Sequence, residues 1–487
     1  MNLQPANRNW ARVFVFSCVV TVFGAMRASA AQPLRAGAAA TRGNPRPNIL
    51  FILADDLGYG DLGCYGQTRI KTPNLDRLAE SGMRFTSFYA GSTVCAPSRA
   101  ALMTGQHSGH NVIRGNQANV ALRPQDRTVA ELLKQAGYST ALIGKWGLGE
   151  EGSTGVPGLK GLDEFLGYLN QTHAHDYYPD HLFRSSGTLG VTRVDLEQNR
   201  DGRRGQYADD LFTAEALKFI ERFNPGRNEA VSPFFLYLAY TIPHANNEEG
   251  TRTGNGMQVP SDSPYSAESW PQVQKNKAAM ITRLDHDIGK ILALLKQLGL
   301  EENTVVFFSS DNGPHKEGGV DPAFFKSSGP FRGIKRDLYE GGIRVPLIVR
   351  WPGKIHPGST NQEPYSFWDF LPTAAELTSS KPPADLDGLS ILPALLGRSM
   401  LPHHQFLYWE FHERGFQQAV RMGDWKAIRL QSGQPLELYN LKVDPGETEN
   451  VAGKKPEIID KIEEYLKTAR TEDPAWPTEP RKNLVNQ

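Results

Sequence analysis

"NILFILADD", residues 48–56, is an unbroken apolar run that stops on two carboxylates. A run of this length, apolar on both faces, fits a strand buried inside a parallel sheet with helices on either side. Neighbouring side chains of a strand point to opposite faces. Asp55 and Asp56 can therefore meet at one site only just past the strand end, where the backbone turns, and the stretch DDLGYGD supplies glycine for that turn.

The segments downstream repeat the pattern. "TPNLDRLAESGMRF" reads as a helix with Thr72 as N-cap, Pro73 in its first turn and Gly82 at its exit. "VAELLKQAG" reads as another, capped by Thr128 with Glu131 three residues on, and it feeds the strand "YSTALIG". Further strands begin at Pro233, Thr304 and Val345, and the helix "MITRLDHDIGKILALLKQLG" places Ile281, Leu284, Ile288, Ile291 and Leu295 on one face. The expected fold class is α/β, a large and mostly parallel sheet sandwiched by helices. Ligands of such sheets collect beyond the carboxyl ends of the strands. Asp55, Asp56, Lys145, His244, Asp311 and Asn312 each follow an apolar run within a few positions.

After "WDFLPTAAEL" and the Pro-rich "SSKPPADLDG" the texture turns aromatic and alternating, which predicts a smaller C-terminal α+β domain, an antiparallel sheet closed by the helix "PEIIDKIEEYLKTA". The expected division is a leader at 1–30, a linker at 31–46, a catalytic domain at 47–378, the small domain at 379–475 and a tail at 476–487.

The leader reads as a signal peptide, with Arg8 and Arg12 ahead of the apolar run Val13 to Ala25 and a small-x-small cleavage pattern at Ala28, Ser29 and Ala30. Export to a periplasm or the medium follows, with a mature chain starting near Ala31. Lipidation of Cys18 is the weaker alternative, because "VFSC" is a poor lipobox. Lys and Arg (53) balance Asp and Glu (53), and losing Arg8, Arg12 and Arg27 leaves a charge of minus three. That excludes the basic field a nucleic-acid partner needs. An anionic substrate must be met by a local cluster of cations.

With Cys18 in the leader, Cys64 and Cys95 remain, and at most one disulfide can form. Cys95 heads the helical stretch in "VCAPSRAALMTGQ" (94–106), where a helix dipole and free N–H groups would lower a thiol pKa. A reactive thiol, a buried inert one and a Cys64–Cys95 bridge all stand as readings. Asp55, Asp56, Asp311 and Asn312 offer a hard, all-oxygen set suited to Ca²⁺ or Mg²⁺ rather than zinc. Each pair could equally make only an Asx turn or a helix cap.

The string C-A-P-S-R-A-A-L-M-T-G resembles, at every specified position, the signature C-x-P-S-R-x-x-L-x-T-G of the formylglycine-dependent (type I) sulfatases, the arylsulfatase-like branch of the alkaline phosphatase superfamily. "NILFILADDLGYGDLGCYG", "IKTPNLDRLAESGMRFTSFYA", "IGKWGLG", "IPH", "SDNGP", "GIKRDLYEGGIRVPLIVRWPGKI" and "ELYNLKVDPGETEN" extend the resemblance in order along the chain. It implies hydrolysis of a sulfate monoester, by analogy that of a sulfated carbohydrate, with Cys95 oxidised by a separate maturation enzyme to formylglycine (3-oxoalanine) and working as its hydrate. It further implies Ca²⁺, in preference to Mg²⁺, on Asp55, Asp56, Asp311, Asn312 and an oxygen of the modified Cys95. Arg99 would steady the hydrate. Lys145, His244 and Lys335 would surround the sulfate, the last two placed to protonate the departing alcohol. His173 and His175 in the "HAHDYYP" loop are expected at the substrate. Many relatives read G-K-W-H-L-G where this chain has Gly147, so the base assigned to that histidine is missing, and His110, His173 or His175 are candidates for its role. A phosphomonoester or phosphonate hydrolase, and an inactive sulfoglycan-binding protein, are the competing readings.

Overall fold

The computed structural model describes residues 46–117, 120–187, 190–226 and 232–479. The leader, the linker before Arg46 and the last eight residues of the expected tail lie outside them. Arg46–Gln487 is one compact unit.

Asn48–Ala54 is the fully buried strand that the apolar run predicts, paired in parallel with Phe234–Ala239 on one side and Thr304–Ser310 on the other. The whole sheet has ten strands. From one edge they are Ser359–Asn361, Met83–Phe85, Leu347–Arg350, Thr304–Ser310, Asn48–Ala54, Phe234–Ala239, Ser139–Lys145, Glu164–Tyr168, His181–Ser186 and Thr192–Asp195. The centre is parallel; Leu347–Arg350 and the last two strands run antiparallel to their neighbours. Those last two strands are polar and partly exposed, so no apolar run marks them in the sequence.

Alternation along the central strand divides the core. Leu50, Ile52 and Ala54 pack on the side of the helix Gln272–Gln297, whose Ile281, Leu284, Ile288, Ile291 and Leu295 are all buried. That helix starts eight residues before the apolar pattern does, through a polar first stretch beginning after Pro271. Ile49, Phe51 and Leu53 pack on the opposite side with residues of the helices Cys95–Thr104 and Phe370–Thr378. The expected capping box is present at Thr128 and Glu131. Among the described residues no helix is long and apolar enough to cross a membrane.

A separate four-stranded antiparallel sheet, Leu407–Phe411, Gln417–Met422, Trp425–Arg429 and Glu437–Asn440, follows in chain order, and the helix Pro456–Leu466 packs Ile462 against it. Polar contacts tie this sheet to the segments around Cys95. Trp409 Nε1 donates to the Ala90 carbonyl (2.9 Å), Glu410 pairs with Arg114 (2.9 Å), and Lys426 reaches Glu340 (2.9 Å).

Glu410 is fully buried between Arg114, Arg470 and His412. Burial alone would raise its pKa, but His412, Arg114 and Arg470 together hold it down at about 2. A depressed carboxylate contributes stability above its unfolded pKa of about 4.3 and loses it as the pH falls toward the folded value. Glu410→Gln is expected to destabilise by about 3–5 kcal/mol at pH 7, because two buried guanidinium groups lose their partner. The difference from wild type should shrink between about pH 5 and pH 2 in urea titrations; an unchanging difference would refute the account.

Candidate active site

The carboxyl ends of three central strands converge. Asp55 follows Ala54, and its backbone N–H donates to the Ile242 carbonyl (3.0 Å). Asp56 makes the turn itself. Its φ of +64° is left-handed, a region that aspartate visits more readily than most residues, whereas Gly58 and Gly60 are not among the left-handed glycines. The expectation that glycine supplies the turn is thus corrected: the strained residue is the carboxylate, and its N–H is fastened to Asp311 Oδ1 (3.1 Å).

Cys95 is the first residue of the helix Cys95–Thr104, with Val94 extended as its N-cap. The buried thiol lies 3.4 Å from Asp55 Oδ1. Burial first, then the Asp55 charge, push its pKa well above the ordinary thiol value. The direction is opposite to the lowered pKa expected from the helix terminus alone. Cys64 and Cys95 are both free, so the bridge between them is not formed.

Three cations fill the gaps between the carboxylates. Arg99, one turn into the helix, donates from Nε and Nη2 to Asp311 Oδ2 (3.0 and 2.8 Å), approaches Asp55 Oδ2 (3.2 Å) and donates from Nη1 to the Lys145 carbonyl (2.9 Å). Lys145, the last residue of its strand, reaches Asp55 Oδ2 (2.6 Å). Lys335 Nζ lies 2.8 Å from Asp56 Oδ2, 3.0 Å from His244 Nε2 and 3.0 Å from Glu317 Oε2. Burial opposes the charge on Lys335, but Asp56, Cys95 and Glu317 hold its pKa well above the ordinary lysine value. His244 behaves oppositely: burial, then Lys335, lower its pKa well below the ordinary value. Its Nδ1 faces the Ala245 carbonyl at 2.7 Å and must carry the ring proton, which leaves Nε2 as acceptor for Lys335.

Whether this cluster fits a cation can be judged from its oxygens. Asp55, Asp56, Cys95 and His244 each offer an atom within 4.8 Å of the others. His244 Nε2 is already engaged by Lys335, which leaves the carboxylate oxygens of Asp55 and Asp56 and the Cys95 sulfur. Asn312 donates from Nδ2 to Asp56 Oδ1 (2.7 Å) and the Gly313 carbonyl (2.9 Å), while its Oδ1 is buried and without a partner. A buried carbonyl-type oxygen left over beside carboxylates is a feature that a hard cation satisfies.

The other expected residues separate. His175 stacks on His244, with ring centroids 4.9 Å apart, and is held by Glu248 (3.1 Å). His173 stacks instead on His181 (4.3 Å), and its pKa falls to about 4, mainly through burial. His110 joins a different group, paired with Asp387 (2.9 Å) and stacked on His107 (4.3 Å). Sequence reasoning missed Glu317, whose carboxylate binds both Lys335 and Arg336 and is held at about 2, against burial, chiefly by Lys335. Its position just past "SDNGP" is the only signal the sequence carries for it.

The sulfatase family model matches residues 47–380, and the model described as N-sulphoglucosamine sulphohydrolase, C-terminal, matches 332–472. The chain belongs to the sulfatase family, enzymes that hydrolyse sulfuric esters. It is 34% identical to N-acetylgalactosamine-6-sulfatase of Canis lupus familiaris over 445 residues, covering 86% of this chain and 78% of that one. It is 33% identical to arylsulfatase A of Homo sapiens, with 88% of each chain covered. The crystal structure of Ps i-CgsB in complex with k-i-k-neocarrahexaose superposes with a TM-score of 0.75 at 29% identity, covering 89% of this chain and 95% of that one.

Proposed function

We propose that this enzyme releases sulfate from a sulfated carbohydrate, with residue 95 as the nucleophile after its oxidation to formylglycine and with Ca²⁺ on Asp55, Asp56, Asp311 and Asn312. The observation that carries the reading is the unpartnered Asn312 Oδ1 among carboxylates that surround Cys95. Hydrated formylglycine would supply an attacking oxygen and a second hydroxyl through which sulfate can later leave, and Ca²⁺ would polarise the sulfate oxygens. The chain's own residues divide the remaining work. Arg99 fixes Asp311 and Asp55, Lys145 stands on Asp55 to meet a sulfate oxygen, and protonated Lys335, in contact with neutral His244, is placed to give the leaving alcohol its proton.

Charge favours sulfate over phosphate. Burial and Asp55 push the Asp311 carboxyl up to about 7 without an ion. With Asp311 ionised, as a bound cation would hold it, Asp55, Asp56 and Asp311 balance Arg99, Lys145 and Lys335, while Glu317 bridges Lys335 and Arg336, and Glu413 also holds Arg336. A divalent cation, one anionic nucleophile oxygen and a singly charged sulfate ester add no net charge to that cluster. A doubly charged phosphate ester leaves one negative charge in a buried place, which is costly. Relatives named for N-acetylgalactosamine 6-sulfate, and a similar structure holding a neocarrahexaose, support a sugar as substrate. We carry the division at residue 378 and export behind the 1–30 leader as parts of the same proposal; an exported protein beginning near Ala31 by terminal sequencing would support the latter.

The test is sulfate release, followed by ion chromatography, from a panel of sulfated galactose and N-acetylgalactosamine derivatives, run beside 4-nitrophenyl sulfate and phosphate. Faster turnover of the phosphate would overturn the reading. Lys335→Ala should lower kcat on a sugar sulfate by about 10²–10⁴-fold, but considerably less on 4-nitrophenyl sulfate, whose phenolate needs little protonation. Equal losses on both would remove Lys335 as the acid.

A further inference from the structure

Beyond Lys145 the chain makes a left-handed turn at Gly147, where φ is +78°. A Cβ built there would meet Gln171 Nε2 at 2.2 Å, so the absent side chain leaves room that this amide occupies. Both Nε2 and Oε1 of Gln171 are shielded from solvent and have no hydrogen-bond partner. Leaving a buried amide unpaired costs about 1–3 kcal/mol. Buried polar groups are nearly always satisfied, so a fully orphaned amide beside a cavity marks a place that an ordered water or a polar ligand group completes.

The cavity is a cleft of ≈ 170 Å³, with Gln171 and Gly147 in its wall together with Ala96, Asn116, Glu150, Leu169 and Asn170. Ala96 directly follows residue 95, so the cleft flanks the nucleophile. Its size is well below the roughly 300–1,000 Å³ of a drug-sized pocket, which limits it to one small ring or substituent. Among the described residues lining it there is no Lys, Arg or His, and Glu150 brings a negative charge. Sulfate and carboxylate groups are therefore unwelcome there. The neighbouring amides are already committed through their oxygens: Asn116 Oδ1 accepts from the Ala96 N–H (2.9 Å), and Asn170 Oδ1 accepts from the His173 N–H (2.9 Å). Of the four amide side chains among the described lining residues, Asn116, Gln117, Asn170 and Gln171, Gln171 is the one whose amide has both ends buried and without a partner.

We propose that this cleft is the subsite for an uncharged, hydroxyl- or N-acyl-bearing part of the substrate, and that Gln171 is its specificity-determining contact. The amide donates from Nε2 to a hydroxyl or acyl oxygen and accepts at Oε1 from a hydroxyl or N–H, a pairing that suits a neutral sugar face and discriminates against one carrying a second sulfate. The inference rests on the sulfated-carbohydrate reading of the neighbouring cluster.

The test compares wild type, Gln171→Ala and Gln171→Asn, each with formylglycine at residue 95 verified by mass spectrometry and with Ca²⁺ present. The readout is the ratio of kcat/KM for the best of galactose 4-sulfate, galactose 6-sulfate and N-acetylgalactosamine 6-sulfate to kcat/KM for 4-nitrophenyl sulfate, which has no hydroxyl or N-acyl group. In Gln171→Ala the ratio is expected to fall about tenfold, through KM rather than kcat, as follows from losing hydrogen bonds made equally in ground and transition states. Gln171→Asn, with its amide drawn back by one methylene, should fall between the two. Binding of the matching unsulfated sugar, followed by ligand-observed NMR, should weaken in the same order. A ratio that stays constant, whether because neither activity changes or because both fall together, overturns the inference; the second pattern would place the amide at the reacting sulfate instead. Cleavage of a sugar sulfate with the ratio unchanged in the variants defeats this inference alone. Hydrolysis of 4-nitrophenyl sulfate with no sugar sulfate cleaved defeats the carbohydrate reading and this inference with it, and failure on every sulfate with formylglycine present defeats the proposed function as a whole.

Discussion

Cys95→Ala is expected to abolish sulfate release, with kcat/KM falling by about 10⁴-fold or more, because in the proposed mechanism a methyl group leaves the cluster without a nucleophile or the precursor of one. Wild type as an unmodified thiol is expected to be nearly as inactive. Burial and the Asp55 charge both push its pKa up, which disfavours the thiolate a nucleophilic sulfur would need. The two forms are separated by mass: the peptide containing residue 95 in active protein should be about 18 Da lighter than its thiol form, the difference between a thiol and an aldehyde. Specific activity should scale with the fraction of the lighter peptide. Full activity from protein that carries only the thiol would refute the assignment of the nucleophile.

Asp55→Asn should produce a double loss. Asp55 accepts Lys145 at 2.6 Å, faces Arg99 at 3.2 Å and lies 3.4 Å from the Cys95 sulfur, all of them buried. Its carboxyl resists the effect of burial and is held well below the ordinary aspartate range chiefly by Lys145, with Arg99 and Lys335 adding to it. Neutralising it leaves buried cations uncompensated, a penalty of about 3–5 kcal/mol. It also removes a proposed Ca²⁺ ligand, so activity is expected to fall by about 10³-fold or more. The measurement is chemical denaturation with and without Ca²⁺. An ion that binds only the folded state at 100 times its Kd adds about 2.7 kcal/mol to wild type, and the variant should gain far less. A wild type whose stability and activity are indifferent to chelation and Ca²⁺ readdition would remove the metal from the proposal.

The central strands and their charged ends were legible because they are written locally. "NILFILADD" and "TVVFFSS" followed by "DN" each carry a continuous apolar run and a polar end within one short segment. What joins Asp56 to Asp311, 255 residues apart, is the parallel pairing of two strands, and a sequence contains that only as a pattern of similar runs. The edge strands His181–Ser186 and Thr192–Asp195 went unseen because they are half exposed and owe their order to a neighbour rather than to apolar spacing. The same limit misled the reading of single residues. Cys95 looked like an activated thiol because the helix terminus is visible in sequence, while the burial that outweighs it is not. Glu317 and Gln171 have ordinary surroundings in the chain and acquire meaning only from what folds against them.

The contacts made by the small sheet carry a consequence for damaged genes. A premature stop shortly before residue 400 would leave every proposed reacting group in the translated product, from Asp55 to Lys335. Such a product would nevertheless lack Trp409, which holds the Ala90 carbonyl five residues ahead of Cys95, as well as Glu410 and Lys426, the counter-charges of Arg114 and Glu340. An intact set of motifs is therefore no guarantee of a working protein in this lineage, and truncated copies should be counted as dead until their last hundred residues are accounted for.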